Sequence, residues 1–207
     1  DFFYVCRYFK HSFSKKIKML EVNFSPFPEI KTARLILRCL KLSDAAAVLD
    51  LRSLDKTMQY IDRAKLTSIE EAEALIQKIL QSVEINEGIN WCMALIDEPE
   101  KLIGTIGFWR MMNQHYRAEV GYMLHPNYWK QGLIREAMLA VLDYGFTKMK
   151  LHSVEAHIDP VNTASANVLE KTGFIREGYF KEDFFYNGKF SDTAIYSLLG
   201  SSNPSAS

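Results

Sequence analysis

The sequence predicts an α/β fold in which a mixed sheet is covered by helices on both faces. Three observations carry that prediction. Along residues 34–199 the hydrophobic spacing switches repeatedly between simple alternation and the three/four pattern of a helix. The elements so marked run strand, two helices, three strands, helix, strand, helix, two strands, with no internal repeat and no second domain. A chain of 207 residues, 48% hydrophobic and 24% charged, suits one domain of ordinary size with a large buried core.

Each element has a local reason. Arg34-Leu35-Ile36-Leu37-Arg38 reads as a strand. Ser43 and Asp44 cap a helix running to about Leu54, with Ala47, Val48 and Leu51 on one face. Ser68 opens a second helix with Glu71 completing a capping box, and its apolar positions run from Ile69 through Ala72, Ile76 and Ile79 to Val83. Strands at Trp91–Ile96 and Lys101–Arg110 are joined by the turn Asp97-Glu98-Pro99-Glu100. A third strand, Arg117–Leu124, ends at His125-Pro126-Asn127. The next helix spans about Gly132 to Met149, with Ile134, Ala137, Met138, Val141, Leu142 and Phe146 inward. Leu151–Ile158 is a strand stopped by Asp159-Pro160, and Thr163–Thr172 is a short helix closed by Gly173 as a left-handed cap. Two last strands, about 174–185 and 189–199, flank the turn Asn187-Gly188.

The ends differ from the middle, so the expected domain covers 32–199, with an N-terminal extension over 1–31 and a flexible tail over 200–207. Residues 1–18 hold six aromatics and five Lys/Arg, without the apolar stretch or small-residue cleavage site of a secretory signal. Two readings stay open for them: sequence preceding a natural start at Met19, or an aromatic arm that packs on the domain or on a partner subunit. The formal net charge of +0 argues against nucleic acid as a partner. No uninterrupted apolar run is long enough for a membrane span. Cys6, Cys39 and Cys92 are too scattered for a metal site or a disulfide framework, which points to a reducing cytoplasm and no metal.

The chemistry concentrates in one loop. Strand 117–124 runs through His125-Pro126-Asn127-Tyr128-Trp129-Lys130-Gln131-Gly132 into a helix. Such a turn exposes backbone N–H groups at the positive end of the helix dipole, an anion site in the making. Gly132 lets a phosphate approach the backbone, and Lys130 and Arg135 add positive charge. By spacing alone, one glycine at a helix start is more often ordinary turn geometry.

The segments HPNYWKQGLIREAM and LHSVEAHIDPVNTASANVLEKTGFIREG, with TARLILR before and NGKFSDTAIYSLL after, resemble the GNAT superfamily of acyl-CoA N-acyltransferases, closest to the RimJ/RimL type that acetylates protein N-termini. The likeness covers roughly residues 32–199. It implies a GNAT-like mixed, mostly antiparallel sheet with helices on both faces, in which a parallel strand pair splays apart and acetyl-CoA lies in the V-shaped gap. The family's pyrophosphate signature falls on Trp129-Lys130-Gln131-Gly132-Leu133-Ile134; Gly132 matches, while Trp129 and Ile134 depart from it. The resemblance implies that the amides of Gln131, Gly132, Leu133, Ile134 and Arg135 face the pyrophosphate. It implies that the backbone of Met123 and Leu124 pairs with pantetheine like an added strand. It assigns Asn162 to the pantetheine region and Lys171 to the nucleotide end of CoA.

Acetyl transfer to an amine needs a base for the ammonium proton and a proton or donor for the leaving thiolate. The expected base is Glu119, in the family pattern A-E-x-G-Y, on one strand face with Gly121 and Met123. The competing role for Glu119 is a cross-strand ion pair. Glu155 and His157 share one face of the next strand, His157 as a secondary candidate. The family's tyrosine acid is replaced by Leu169. Ser165, at the motif's alanine position, is the candidate donor to the thiolate, with helix packing as its competing role. Tyr122 and Tyr179 read as packing residues on the cleft walls. The expected activity is direct N-acetylation of a primary amine by acetyl-CoA, with a protein N-terminus as acceptor, no membrane and no nucleic-acid partner, in a monomer or homodimer. A polyamine or aminoglycoside-like amine is the alternative acceptor, and a catalytically inactive acyl-CoA sensor the alternative of another class. Acceptor selectivity is expected in residues 55–67 and near Trp109–Tyr116.

Overall fold

The computed structural model describes residues 19–203; both readings of residues 1–18 therefore lie outside the described residues. Eight strands form one sheet in the order β1-β2-β3-β4-β5-β6-β8-β7. They are β1 (Ile30–Lys31), β2 (Leu35–Cys39), β3 (Ile89–Leu95), β4 (Gly104–Met112), β5 (Arg117–Leu124), β6 (Ser153–Ile158), β7 (Ile175–Tyr186) and β8 (Lys189–Leu199). The pairing of β5 with β6 is parallel and every other pairing is antiparallel. This is the mixed, mostly antiparallel sheet that the sequence predicts.

Alternation along the strands divides the interior into two layers. On one face Trp91, Phe108, Val120 and Leu124 pack against Leu133, Ala137, Met138 and Val141 of α4 (Leu133–Thr147) and Leu169 of α5 (Thr163–Lys171). On the other face Cys92 and Met123 pack against α1 (Ala45–Ser53), α2 (Asp55–Met58) and α3 (Ile69–Glu84) through Val48, Leu51, Met58, Ala72 and Ile76. Helices thus cover both faces, each through its apolar stripe.

Several boundaries move. The helix expected from Ser43 to Leu54 is a 3-10 turn at Leu42–Asp44, then α1, then the single turn α2. Asp44 does not cap α1 with its side chain; its carboxylate accepts two bonds from Arg38 and one from the Lys41 N–H. The ion pair with Arg38, six residues back on β2, outcompetes the α1 cap. At α3, Ser68 accepts the Glu71 N–H as expected, while Glu71 reaches back to the Thr67 N–H. Asn187 and Gly188 both have positive φ, 48° and 81°, the conformation a tight hairpin needs.

The expected domain edge at residue 32 is corrected. Leu20 and Phe24 are buried in the main core, the Trp91 indole donates to the Pro28 carbonyl at 2.7 Å, and Ile30–Lys31 add a strand. These residues are too irregularly spaced to signal an element, and only the assembled sheet gives them a surface to cover. The segment read as a tail also begins docked: the Gly200 N–H bonds the His152 carbonyl at 2.9 Å, and Asn203 is buried.

Candidate active site

The site starts where the parallel pair stops. β5 and β6 pair through Arg117↔Ser153, Ala118↔Val154 and Glu119↔Glu155, and no further. β5 runs on to Leu124 and β6 to Ile158, so a V-shaped gap opens beyond Glu119. The end of α5 carrying Asn162 and Ser165 reaches that gap, because the Tyr122 hydroxyl donates to the Ser165 carbonyl at 3.4 Å.

At the apex lies a buried polar group. Glu119 is 3% exposed, and its carboxylate accepts from Arg110 Nη1 at 3.0 Å. Arg110 sits in a β-bulge between Trp109 and Met112 with φ at 44°. The bulge turns its guanidinium onto the face of Glu119, which regular alternation would not do. Glu155 is paired with Arg117 at 2.6 Å, and His157 Nε2 is 3.6 Å from Glu155 Oε1. That His157 nitrogen is buried without a hydrogen-bond partner. One ligand-type atom from each of Glu119, Glu155 and His157 falls within 4.8 Å of the others. Burial pushes the Glu119 carboxyl above the usual range; His157 and Arg110 pull it back, and Glu155 pushes it up again. Glu119 thus forms the cross-strand ion pair that was its competing role, and its carboxyl is raised all the same.

The opposite end of the gap is the start of α4. Gly132 is its N-cap, with φ at 76° and no side-chain cap. The first helical bond runs from the Glu136 N–H to the Gly132 carbonyl, so the N–H groups of Leu133, Ile134 and Arg135 have no acceptor among the described residues. An anion there meets a full helix dipole and a residue without a Cβ. Lys130 has φ at 61° and is exposed, as is Arg135. This donor set fits a pyrophosphate.

The sequence reading missed what holds this loop. Arg34, just ahead of β2, donates to Glu136 at 2.7 Å and to the Gln131 carbonyl at 2.9 Å. Thr32 and the Arg34 N–H also donate to Glu136, at 2.6 and 2.8 Å. The carboxylate in the first turn of α4 is thereby neutralised beside the expected phosphate position. TARLILR signalled these residues, but no periodicity says what they touch.

The Leu133 side chain is buried in the core and Ile134 is half-buried against it, while Gln131 is exposed and bonds the Asn127 carbonyl. The Met123 carbonyl turns toward Gly104 of β4, so its backbone does not face the gap. Leu124 turns the other way, but its carbonyl accepts from the Trp129 indole at 2.7 Å. Register parity, which spacing alone leaves undefined, moves the gap-facing edge to Tyr122 and Leu124. Asn162 caps α5 by accepting the Ser165 N–H at 3.0 Å. Lys171 is exposed in the last turn of α5, at the far end from Asn162. Leu169 is fully buried in the core, and Tyr179 lies exposed on β7 with Asp192. Burial pushes the Tyr122 phenol up to about 12 and the Cys92 thiol up to about 12.

The family described as "Acetyltransferase (GNAT) domain" matches residues 34–175. The chain belongs to the GNAT acetyltransferase family. It is similar to the uncharacterized N-acetyltransferase YoaA of Bacillus subtilis, with 36% identity over 173 residues, 84% of this chain and 97% of the relative. A GNAT-family acetyltransferase structure from Bacillus anthracis superposes with a TM-score of 0.74 at 32% identity, covering 84% of this chain and 99% of that one. The Vibrio cholerae spermidine N-acetyltransferase, solved with CoA and spermine, superposes with a TM-score of 0.73 at 26% identity, over 83% of this chain and 98% of that one. This GNAT chain is an N-acetyltransferase with acetyl-CoA as co-substrate. Among its described residues no helix is long and apolar enough to cross a membrane.

Proposed function

We propose that this GNAT enzyme transfers the acetyl group directly to a primary amine in a ternary complex, with Glu119 receiving the amine proton. The observation that carries the reading is the end of the β5–β6 pairing at Glu119↔Glu155, which leaves a buried, raised carboxylate at the apex of the gap. The amine nitrogen bonds to the thioester carbonyl carbon, the C–S bond breaks, and the nitrogen's proton passes to Glu119, directly or through water. Ser165 is the proposed donor to the departing thiolate. The Tyr122 phenol, kept protonated by burial, adds a second hydroxyl beside it. Direct transfer is supported because Cys92 is sealed in the core with its thiol pushed up to about 12, and burial also raises the Cys39 thiol. The phosphates are assigned to the amides of Leu133, Ile134 and Arg135, with Lys171 toward the nucleotide.

The acceptor proposed from the RimJ/RimL-like motifs is a protein N-terminal amine. A polyamine is the second reading, favoured by the spermine complex of the Vibrio cholerae relative. An inactive acyl-CoA sensor is favoured by Leu169, which stands buried where the family has its tyrosine acid, and by Ile134 at the signature's small position. The test is release of free thiol from acetyl-CoA with N-terminal peptides, polyamines and aminoglycosides in parallel. Acceptor-dependent release supports transfer. Tight acetyl-CoA binding with no release for any amine establishes the sensor.

A further inference from the structure

The wall opposite the cofactor loop carries charge that the transfer reading does not use. Trp109 is paired across the strands with Glu119 and therefore shares its face of the sheet. Its indole lies beside Gly121, with Nε1 3.5 Å from where a Cβ on Gly121 would stand. Two guanidiniums flank the indole. Arg63, from the loop between α2 and α3, and Arg110, from the β4 bulge, each lie 5.0 Å from the ring centroid. Arg52, in the last turn of α1, is half-buried; burial lowers its pKa, and the charge of Arg63 lowers it further.

Carboxylates do not match these charges. Among the described residues, neither Arg52 nor Arg63 forms an ion pair or a side-chain hydrogen bond to an acceptor. Among the described residues no carboxylate is bonded to either guanidinium, and the acids of these elements have other partners. Glu119 holds Arg110, Asp62 accepts from the Ser191 hydroxyl at 2.8 Å, Asp55 is paired with Lys65, and Glu155 is paired with Arg117. Glu87 shares a hollow with Trp109 and Arg110 whose lining includes no residue of α1 or of the α2–α3 loop. The α1 dipole compensates part of the charge on Arg52, but Arg63 stands in a loop and has no such partner. Arg52 is half-buried, and a guanidinium cannot discharge by losing its proton, so its partial withdrawal from water costs free energy that an arriving anion would offset. A site built for a polycation needs the opposite sign.

We propose that the acceptor is an anionic amine, whose amino group meets Glu119 while a carboxylate, or an equivalent anion close to it, docks against Arg63 and Arg52 beside Trp109. This rests on the acetyl-transfer reading and narrows its acceptor. Arg110 is committed to Glu119, so the sorting charges are Arg52 and Arg63. Trp109, paired with Glu119 across the strands and 5.0 Å from Arg63, links the two positions, so amine and anion are close together and not a long chain apart. Two sources carry this chemistry, a free amino acid and a peptide N-terminus with an acidic residue close behind.

The experiment measures acetyl-CoA turnover on matched acceptors: an amino acid against its amide, an amidated tripeptide with Glu at positions two and three against the same peptide with Gln, and spermidine. The anionic member of a pair is expected to show at least about tenfold higher kcat/KM than its neutral isostere, as one charged hydrogen bond confers. The amino-acid and peptide arms tell the two sources apart. Arg63→Gln is expected to erase that preference mainly through the acceptor KM, leaving the KM for acetyl-CoA within about twofold. Arg63 is exposed, so folding is not at stake; Arg52→Gln is the second variant, with acetyl-CoA binding as its folding control. A preference for spermidine or for the neutral isosteres overturns the inference and leaves acetyl transfer standing. An equal loss on every acceptor in Arg63→Gln also overturns it, because that pattern marks a structural residue. Absence of turnover on every acceptor overturns the transfer reading itself, and this inference with it.

Discussion

Arg34 and Glu136 are 102 positions apart in the chain and joined at 2.7 Å, with the same guanidinium also holding the Gln131 carbonyl. The start of β2 is thereby fastened to both sides of the turn at Gly132. Burial alone would push the Glu136 carboxyl up, but hydrogen bonds from Thr32 and Arg34 outweigh it and hold the group below the usual range. Arg34→Gln is expected to weaken acetyl-CoA binding about tenfold and leave turnover at saturating cofactor nearly intact, read by calorimetry and by kcat. The sign of the pH effect follows from the lowered carboxylate. Its stabilisation is present above the unfolded-state pKa and is lost as pH falls through the folded one. Glu136→Gln should therefore lower the melting temperature at neutral pH and converge with the parent in acid.

Gly132 separates two roles that glycine can play. A Cβ there would meet only Arg34 Nη2, at 3.7 Å, so space inside the protein is not limiting, whereas φ at 76° is. Gly132→Val is expected to cost about 1–3 kcal/mol in backbone strain and to reduce cofactor affinity strongly. Gly132→Asn tolerates the left-handed conformation and should keep most of the stability. It should still lose affinity, because its side chain stands where the phosphate arrives. Undiminished acetyl-CoA binding by Gly132→Asn would remove the pyrophosphate from this turn.

Glu119 is testable through pH. Burial raises its carboxyl, so the basic form should appear, and kcat/KM should rise, through a pKa above the ordinary carboxylate range. Glu119→Gln keeps shape and hydrogen-bonding reach. It should lower turnover at neutral pH by about 10²–10⁴ while leaving acetyl-CoA affinity nearly unchanged. Part of the loss should return at high pH, where the amine arrives neutral. Full activity at neutral pH in a folded variant would exclude Glu119 as base; an equal loss at every pH would make it an orienting group.

The ion pair of Arg38 with Asp44 sets the stability of the helical layer on the acceptor side. Both residues are 4% exposed, and Arg38 also donates to the Pro99, Cys39 and Glu100 carbonyls. Asp44→Ala leaves that buried guanidinium without its counter-ion and should cost about 3–5 kcal/mol in urea unfolding. Arg38→Met together with Asp44→Leu should recover much of it, because no charge is then left unmatched.

What the sequence determined by itself was local or periodic. Alternation marked Arg117–Leu124 to the residue, the three/four pattern marked α3 and α4, and Asn187-Gly188 marked the hairpin, because side-chain spacing and φ preference are properties of neighbours. Glu119 and Gly132 were legible for the same reason: a strand face and a helix start are local. The tertiary structure alone decided which backbone edge of β5 meets the gap, since one residue of register exchanges Met123 for Leu124. It decided that Leu20 and Phe24 belong to the core, that Asp44 serves Arg38 rather than its helix, and that Arg34 clamps the α4 turn. It also gathered Arg63 and Arg110 around Trp109 from a loop and a bulge, with Arg52 of α1 close enough to feel the charge of Arg63. Apart from the Arg38–Asp44 pair, which spans six residues, contacts of that kind arise from chain closure over tens of residues, where the energy lies in pairing and burial rather than in any pattern the chain displays along its length.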